Sequence, residues 1–125
     1  KNADEKNFIG LALAVNDLAT RTRNRKLKPE EIQDGTFTIT NYGVFGNIIG
    51  IPIINQPQVA ILGIGALKKR PVVITDEQGN DMIGVRSMAY FTLSFDHRII
   101  DGAIGGQFLA KVKSNLEHFD FSQAY

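Results

Sequence analysis

The segment "LSFDHRIIDGAIGG", residues 93–106, places a histidine at 97 and an aspartate four residues later at 101. A neutral histidine titrates near working pH and can take a proton from a thiol or a hydroxyl. Such a base needs an orienting partner and a donor for the oxyanion that develops. Asp101 is placed to hold the turn rigid, through Arg98 or another cation. A hydroxyl on a polar strand face, such as Thr40, supplies a donor. A plainer reading of the same spacing makes Asp101 the cap of the last helix, accepting its orphan amide protons, and His97 a satisfied turn histidine. A capping role leaves room for the catalytic one, so both stand at this point.

Other chemistries fit poorly. The chain has only two histidines, and His118 lies far along in a polar helix end. One histidine and one carboxylate leave zinc short of ligands, and no cysteine is present to help, so no metal site is expected. His97-Arg98 is followed by isoleucine, without a glycine-rich nucleotide loop or a strand lysine, which excludes a protein-kinase catalytic loop. No Gly-x-Ser-x-Gly elbow occurs either.

These residues must be positioned by a modest set of elements. Phe8, Leu11, Ala12, Val15, Leu18 and Ala19 recur at helical spacing and predict an amphipathic helix over 6–24, capped by Asn2 or Asp4. Arg21, Arg23, Arg25, Lys26 and Lys28 crowd its end. They suit a solvated carbonyl terminus, and a phosphate-binding patch is the alternative. Pro29-Glu30-Glu31-Ile32 reads as one helical turn with proline first. "GTFTITN", 35–41, alternates Phe37 and Ile39 against threonines, as a strand with one polar face does. "YGVFGNIIGIP" sets glycines at 43, 46 and 50 among large apolar residues, too apolar for a solvated loop, and so is expected to pack on something. "QVAILGIGAL" and "PVVIT" read as buried strands. "DEQGND" reads as a turn with Gly79 at positive φ. "MIGVRSMAYFTLSFD" reads as one long strand. A helix from Asp101 to about Glu117 carries Ile104, Phe108, Val112 and Leu116 on one face. Residues 122–125 read as a frayed tail. The order is helix, strands, helix: an α+β layered domain.

The 125 residues suffice for one domain with one core. A net charge of +1 makes no case for nucleic acid or an anionic membrane, and no run approaches the roughly 20 apolar residues of a span. No signal-peptide pattern opens the chain. Cysteine is absent, which excludes disulfides and suits a reducing compartment. The chain opens on Lys1 and enters a helical pattern almost at once, as a piece of something longer would. The apolar content is high for so few elements, so a further part of the domain or a partner subunit is expected to cover the surplus.

"DHRIIDG", 96–102, resembles the Asp-His-Arg-x-x-Asp-Gly signature of the dihydrolipoamide acyltransferases, core components of 2-oxo acid dehydrogenase complexes. The block "GTFTITNYGVFGNIIGIPIINQPQVAILGIGALKKRPVV", 35–73, resembles the family's Thr-Phe-Thr-Ile-(Ser/Thr)-Asn segment followed by Pro-x-Ile-Asn-x-Pro-(Gln/Glu)-x-Ala-Ile-Leu-Gly. The resemblance covers nearly the whole chain. It implies the chloramphenicol-acetyltransferase-like fold, a two-layer α/β sandwich (α+β in element order), here its C-terminal part and so incomplete. It also implies homotrimers that build a larger core.

By the same resemblance, His97 matches the catalytic base and Asp101 the carboxylate that fixes the active-site turn. Thr40 falls where the family has a serine or threonine that bonds the tetrahedral intermediate. Asn41 and Gly65 fall near expected coenzyme A contacts. The histidine and the hydroxyl would come from different subunits. The implied reaction moves an acyl group between S-acyl-dihydrolipoyl-lysine, supplied by a separate lipoyl domain, and coenzyme A. Implied partners are that lipoyl domain, a 2-oxo acid decarboxylase and dihydrolipoamide dehydrogenase. The implied setting is the bacterial cytoplasm, or the mitochondrial matrix for a eukaryotic source. Three alternatives accompany this reading: a chloramphenicol-acetyltransferase or condensation-domain relative, which usually carries His-His where this chain has Asp96-His97; a non-catalytic assembly core; and an inactive fragment. The tail from Val85 to His118 looks more like branched-chain or acetyl-type members than succinyl-type ones.

Overall fold

The computed structural model describes residues 1–120 and Ser122. Apart from Ser122, the tail expected to fray lies outside them. The chain forms two units, Phe37–Ala110 and Lys1–Thr36 with the residues from Lys111 onward.

The unit containing the N-terminus is built on α1, Phe8–Arg23. The helix starts two residues later than its apolar spacing suggests because Asn7, not Asn2 or Asp4, caps it. The Asn7 side chain accepts the Gly10 N–H at 2.8 Å. Asn2 instead precedes a short 3-10 turn, Ala3–Glu5, and donates its side-chain amide to Glu5. At the other end Arg25 takes a left-handed φ of 55°, Lys26 N–H reaches the Arg21 carbonyl at 2.8 Å, and Arg25 N–H reaches that of Thr22. This is a Schellman closure in which arginine stands where glycine is usual. The basic cluster therefore ends a helix. Its first member, Arg21, is engaged in ion pairs: it donates to Asp17 at 2.8 Å and, through both Nη atoms, to Glu31 at 2.5 and 2.7 Å. Glu31 lies in α2, Pro29–Ile32, the expected single turn. The α1 stripe is only partly covered: Val15 is exposed, and Phe8 tilts against Phe119 at 5.7 Å.

The other unit holds a three-stranded sheet. Its strands are β1 (Thr38–Asn41), β2 (Ala60–Ile64) and, after β3 (Lys68–Thr75) and β4 (Asp81–Met88), β5 (Phe91–Phe95). β2 is central, parallel to β1 and antiparallel to β5. Ala60, Ile61, Leu62 and nearby Ala66 are 5–7% exposed and form the core. β1 is shorter than the alternation over 35–41 predicts, because only Thr38–Asn41 find partners on β2. α3, Gly102–Glu117, begins in this unit, and Gly105 is its one buried residue among those described. A Cβ on Gly105 would stand 2.7 Å from the Phe95 ring, so glycine there lets the helix close on the sheet. Register and alternation put Ala60, Leu62, Leu93 and Phe95 on the α3 face, and Thr38, Thr40, Gly63 and Thr92 on the opposite face.

Two strand expectations are corrected. "PVVIT" is not buried. It belongs to β3, which pairs with β4 in a two-stranded ribbon whose Val73 and facing Ile83 are 66% and 82% exposed. "MIGVRSMAYFTLSFD" is two strands, not one. The last ribbon row is Lys68 with Met88 and the first sheet row is Ile64 with Phe91. Three residues on one side thus face two on the other, the count that bends a ladder, and Gly65 N–H bridges to the Tyr90 carbonyl at 2.9 Å. The 76–81 turn forms as expected: Gly79 has φ 85°, and the Asp76 carboxylate accepts the N–H groups of Gln78 and Asn80.

The glycine-rich segment is anchored at its small residues and bare at its large ones. A Cβ on Gly43 would lie 2.5 Å from Ala66 N, and one on Gly50 would lie 2.8 Å from the Tyr42 ring. Yet Phe45, Ile51 and Ile53 are 83–90% exposed, so within this chain the expected cover is not found among the described residues. No described helix is long and apolar enough to cross a membrane.

Candidate active site

His97 heads the turn between β5 and α3. The turn is made by the Asp96 carbonyl, which accepts Ile99 N–H at 3.0 Å and Ile100 N–H at 2.9 Å. Asp96 N–H in turn donates to Val59 at 2.8 Å, extending the β2–β5 ladder one step. The side chains complete it. The Asp96 carboxylate accepts Arg98 N–H at 3.0 Å, Nε at 3.0 Å and Nη2 at 2.7 Å. This charge-assisted fork lowers the Asp96 carboxyl to about 2, first through the Arg98 side chain and then through its backbone N–H. The same pair raises the Arg98 guanidinium.

The sequence offers Arg98 or another cation as the partner of Asp101. Arg98 engages Asp96 instead, because two residues of separation in a tight turn bring fork and carboxylate face to face. Asp101 caps α3: its Oδ1 accepts Ile104 N–H at 2.8 Å and its carbonyl accepts Gly105 N–H at 3.0 Å. His97 is exposed, with its ring 5.6 Å from that of Phe95 and tilted 42° to it. Phe95 rests on Gly105, so the imidazole is seated through one ring on α3.

Thr40 lies elsewhere on the sheet. It pairs with Gly63, which pairs with Thr92. A Cβ on Gly63 would meet Thr92 Oγ1 at 2.6 Å and the Tyr42 ring at 2.7 Å. Thr92 donates to the Gly50 carbonyl at 2.8 Å and lies 3.0 Å from Tyr42 Oη. Asn41 follows Thr40, exposed and opposite Ile64. Gly65 is buried, and a Cβ on it would fall 2.0 Å from the Ile48 carbonyl oxygen, so close backbone packing accounts for glycine there. The fold thus gathers Thr40, Asn41 and Gly65 at one end of the sheet and His97 with Asp101 at the other. Sequence reasoning missed Asp96 as partner of Arg98, and the Tyr42–Thr92 contact over Gly63 in the row of Thr40. The Asp-x-Arg spacing signals the first, and the polar Thr92 inside an apolar strand signals the second.

Comparison with known proteins finds matches along nearly the whole chain. The profile of the 2-oxoacid dehydrogenases acyltransferase (catalytic domain) family matches residues 1–123. The chain is 49% identical over 120 residues to the dihydrolipoyllysine-residue acetyltransferase component of the pyruvate dehydrogenase complex of Mycobacterium bovis, covering 96% of this chain and 22% of that protein. It is 47% identical to the lipoamide acyltransferase component of the branched-chain alpha-keto acid dehydrogenase complex of Bacillus subtilis, covering 96% and 27%. A crystal structure of a probable dihydrolipoamide acetyltransferase from Listeria monocytogenes superposes with a TM-score of 0.87 at 46% identity, over 94% of this chain and 48% of that one. The dihydrolipoamide acetyltransferase of Azotobacter vinelandii gives 0.83 at 34% identity, over 94% and 46%. The chain spans about a quarter of the curated relatives and about half of the solved chains. It belongs to the family of 2-oxoacid dehydrogenase acyltransferase catalytic domains.

Proposed function

We propose that His97 is the general base of an acyl transfer between S-acyl-dihydrolipoyl-lysine and coenzyme A. The observation that carries the reading is the placement of His97 at the head of a clamped turn between β5 and α3, in a chain of this family. His97 takes the proton of the coenzyme A thiol, and the sulfur forms a bond to the thioester carbonyl carbon. Thr40 of a neighbouring copy donates to the oxyanion. The bond to the lipoyl sulfur then breaks, and the imidazolium returns its proton to that thiolate. The Azotobacter enzyme is described through the roles of a serine, a histidine and an asparagine four residues after it in its catalytic mechanism. His97 and Asp101 keep that separation, with aspartate in place of asparagine.

The same reading gives the chain the two-layer chloramphenicol-acetyltransferase-like fold and a homotrimeric building block. A solved relative is the cubic core of a pyruvate dehydrogenase complex, with a TM-score of 0.81 at 34% identity. The lipoyl group arrives on its own domain, and decarboxylase and dihydrolipoamide dehydrogenase components attach to the assembled core. Asn41 and Gly65 stand at the coenzyme A end. The acyl group is acetyl or branched-chain rather than succinyl. The test is turnover of the full-length protein with coenzyme A and S-acetyl-dihydrolipoamide. General-base loss in His97→Ala lowers kcat about 10²–10⁴-fold, while Lys113→Ala, at an exposed pair with Glu117, changes little. Near-normal turnover of His97→Ala overturns the proposal.

A further inference from the structure

We infer that Asp96 and Arg98 are positioning residues whose ion pair closes across His97 and sets the direction in which the imidazole leaves the turn. The inference rests on the reading of His97 as the base.

The two partners are unequally anchored: the Asp96 side chain is 18% exposed and that of Arg98 81%. Asp96 is the fixed member, held by its N–H on Val59 and by its carbonyl under Ile99 and Ile100. Arg98 folds back onto it, through the backbone N–H as well as the guanidinium. These bonds fix the residues on both sides of position 97 and use no atom of the imidazole. The carboxylate-to-N–H bond restricts the backbone of the two residues it spans, and the planar fork adds a direction that a flexible ammonium lacks. Asp101 is committed to the Ile104 N–H and does not duplicate this role. An exposed pair contributes little to global stability, and the opposite charges cancel beside the histidine. What remains is geometry, and a misplacement of about 1 Å can cost on the order of 100-fold in rate.

The experiment measures kcat and KM of the full-length protein with coenzyme A and S-acetyl-dihydrolipoamide as probes. The variants are Asp96→Asn, Arg98→Gln, Arg98→Lys and the Asp96→Asn/Arg98→Gln pair, with His97→Ala as reference. Each single substitution is expected to lower kcat about 10-fold or more, with KM for coenzyme A unchanged within about twofold. The double variant should lose no more than the worse single, and lysine at 98 should fail to restore turnover. Thermal unfolding identifies any variant that does not fold; the Arg98 substitutions, at an exposed side chain, carry the test if Asp96→Asn is one. Losses that multiply in the double variant overturn the inference, as do losses carried by KM or full rescue by lysine. Single variants within about twofold of the parent while His97→Ala collapses overturn the positioning role alone. A His97→Ala protein that turns over normally removes the base assignment itself.

Discussion

Thr40 and Phe95, the ring beside His97, lie on opposite faces and at opposite ends of the same three-stranded sheet. Thr40 shares a row with Gly63 and Thr92, and Phe95, two residues before His97, stands three rows away beside Ala60. The offset is roughly 10 Å along the strands and roughly 10 Å across two strand spacings. Phe95 points to the α3 face, where Gly105 meets its ring and the His97 imidazole lies against it. Thr40 points the other way. Under the proposed acyl transfer, this separation pairs the His97 of one copy with the Thr40 of another.

That geometry predicts complementation. His97→Ala and Thr40→Val proteins, each expected to be slow alone, should regain activity when mixed under conditions that allow subunits to exchange. An interface is intact when the Thr40→Val copy supplies histidine and the His97→Ala copy supplies threonine. Random 1:1 mixing makes about a quarter of the interfaces intact. Turnover of the mixture no higher than the sum of the separate proteins would show that each chain works alone or that Thr40 takes no part.

The Asp101 cap separates structural from chemical roles. Asn caps a helix about as well as Asp, whereas Ala gives up about 1 kcal/mol. Asp101→Asn should unfold within a degree or two of the parent and Asp101→Ala several degrees lower, because Ile104 N–H loses its acceptor. If Asp101→Asn lowers Tm as far as Asp101→Ala does, the carboxylate charge matters beyond the cap.

What the sequence made legible was local. The stripe of α1, the proline of α2, the capping Asp101 and Gly79 each act within a few residues, and each appears close to its expected place. Pairing was not legible. The run from Met82 to Phe95 is mostly apolar, with no cluster of turn residues to divide it, and cannot say that its first half pairs with β3 and its second with β2. Arg98 had carboxylates two residues before it and three after, and only the turn decides between them. Gly65 drew attention as a cofactor contact, yet the approach of Ile48 is a non-local reason for glycine that no local pattern carries.

Neighbouring glycines of α3 should respond oppositely. A methyl at Gly105 meets the Phe95 ring at 2.7 Å, whereas one at Gly106 meets nothing within 4 Å among the described residues outside its own helix backbone. Gly106→Ala should raise stability by about 0.5–1 kcal/mol through helix propensity and a less flexible unfolded chain. Gly105→Ala should cost about 1–3 kcal/mol and, by shifting Phe95, lower kcat with little change in KM. Urea unfolding of both variants checks the signs. Equal stabilisation by the two alanines would mean that Phe95 does not press on the helix.

The fork between Arg21 and Glu31 predicts an acid transition. Hydrogen bonds from Arg21 and from Lys28 N–H lower the Glu31 carboxyl from 4.5 to about 2. A depressed carboxyl stabilises the fold fully above its unfolded value and loses that contribution as pH falls through its folded one. The pair should therefore hold α2 against α1 unchanged from neutral pH to about 5, and release it between roughly 4.5 and 2. Asp96, lowered from 3.8 to about 2 by the Arg98 fork, titrates in the lower part of that window. Glu31→Gln keeps an acceptor but nothing to protonate, so the fall in Tm over that window should be shallower than in the parent, and lower ionic strength should widen the difference. Parallel Tm–pH curves for the two proteins would mean that the Arg21 fork contributes no pH-linked stability.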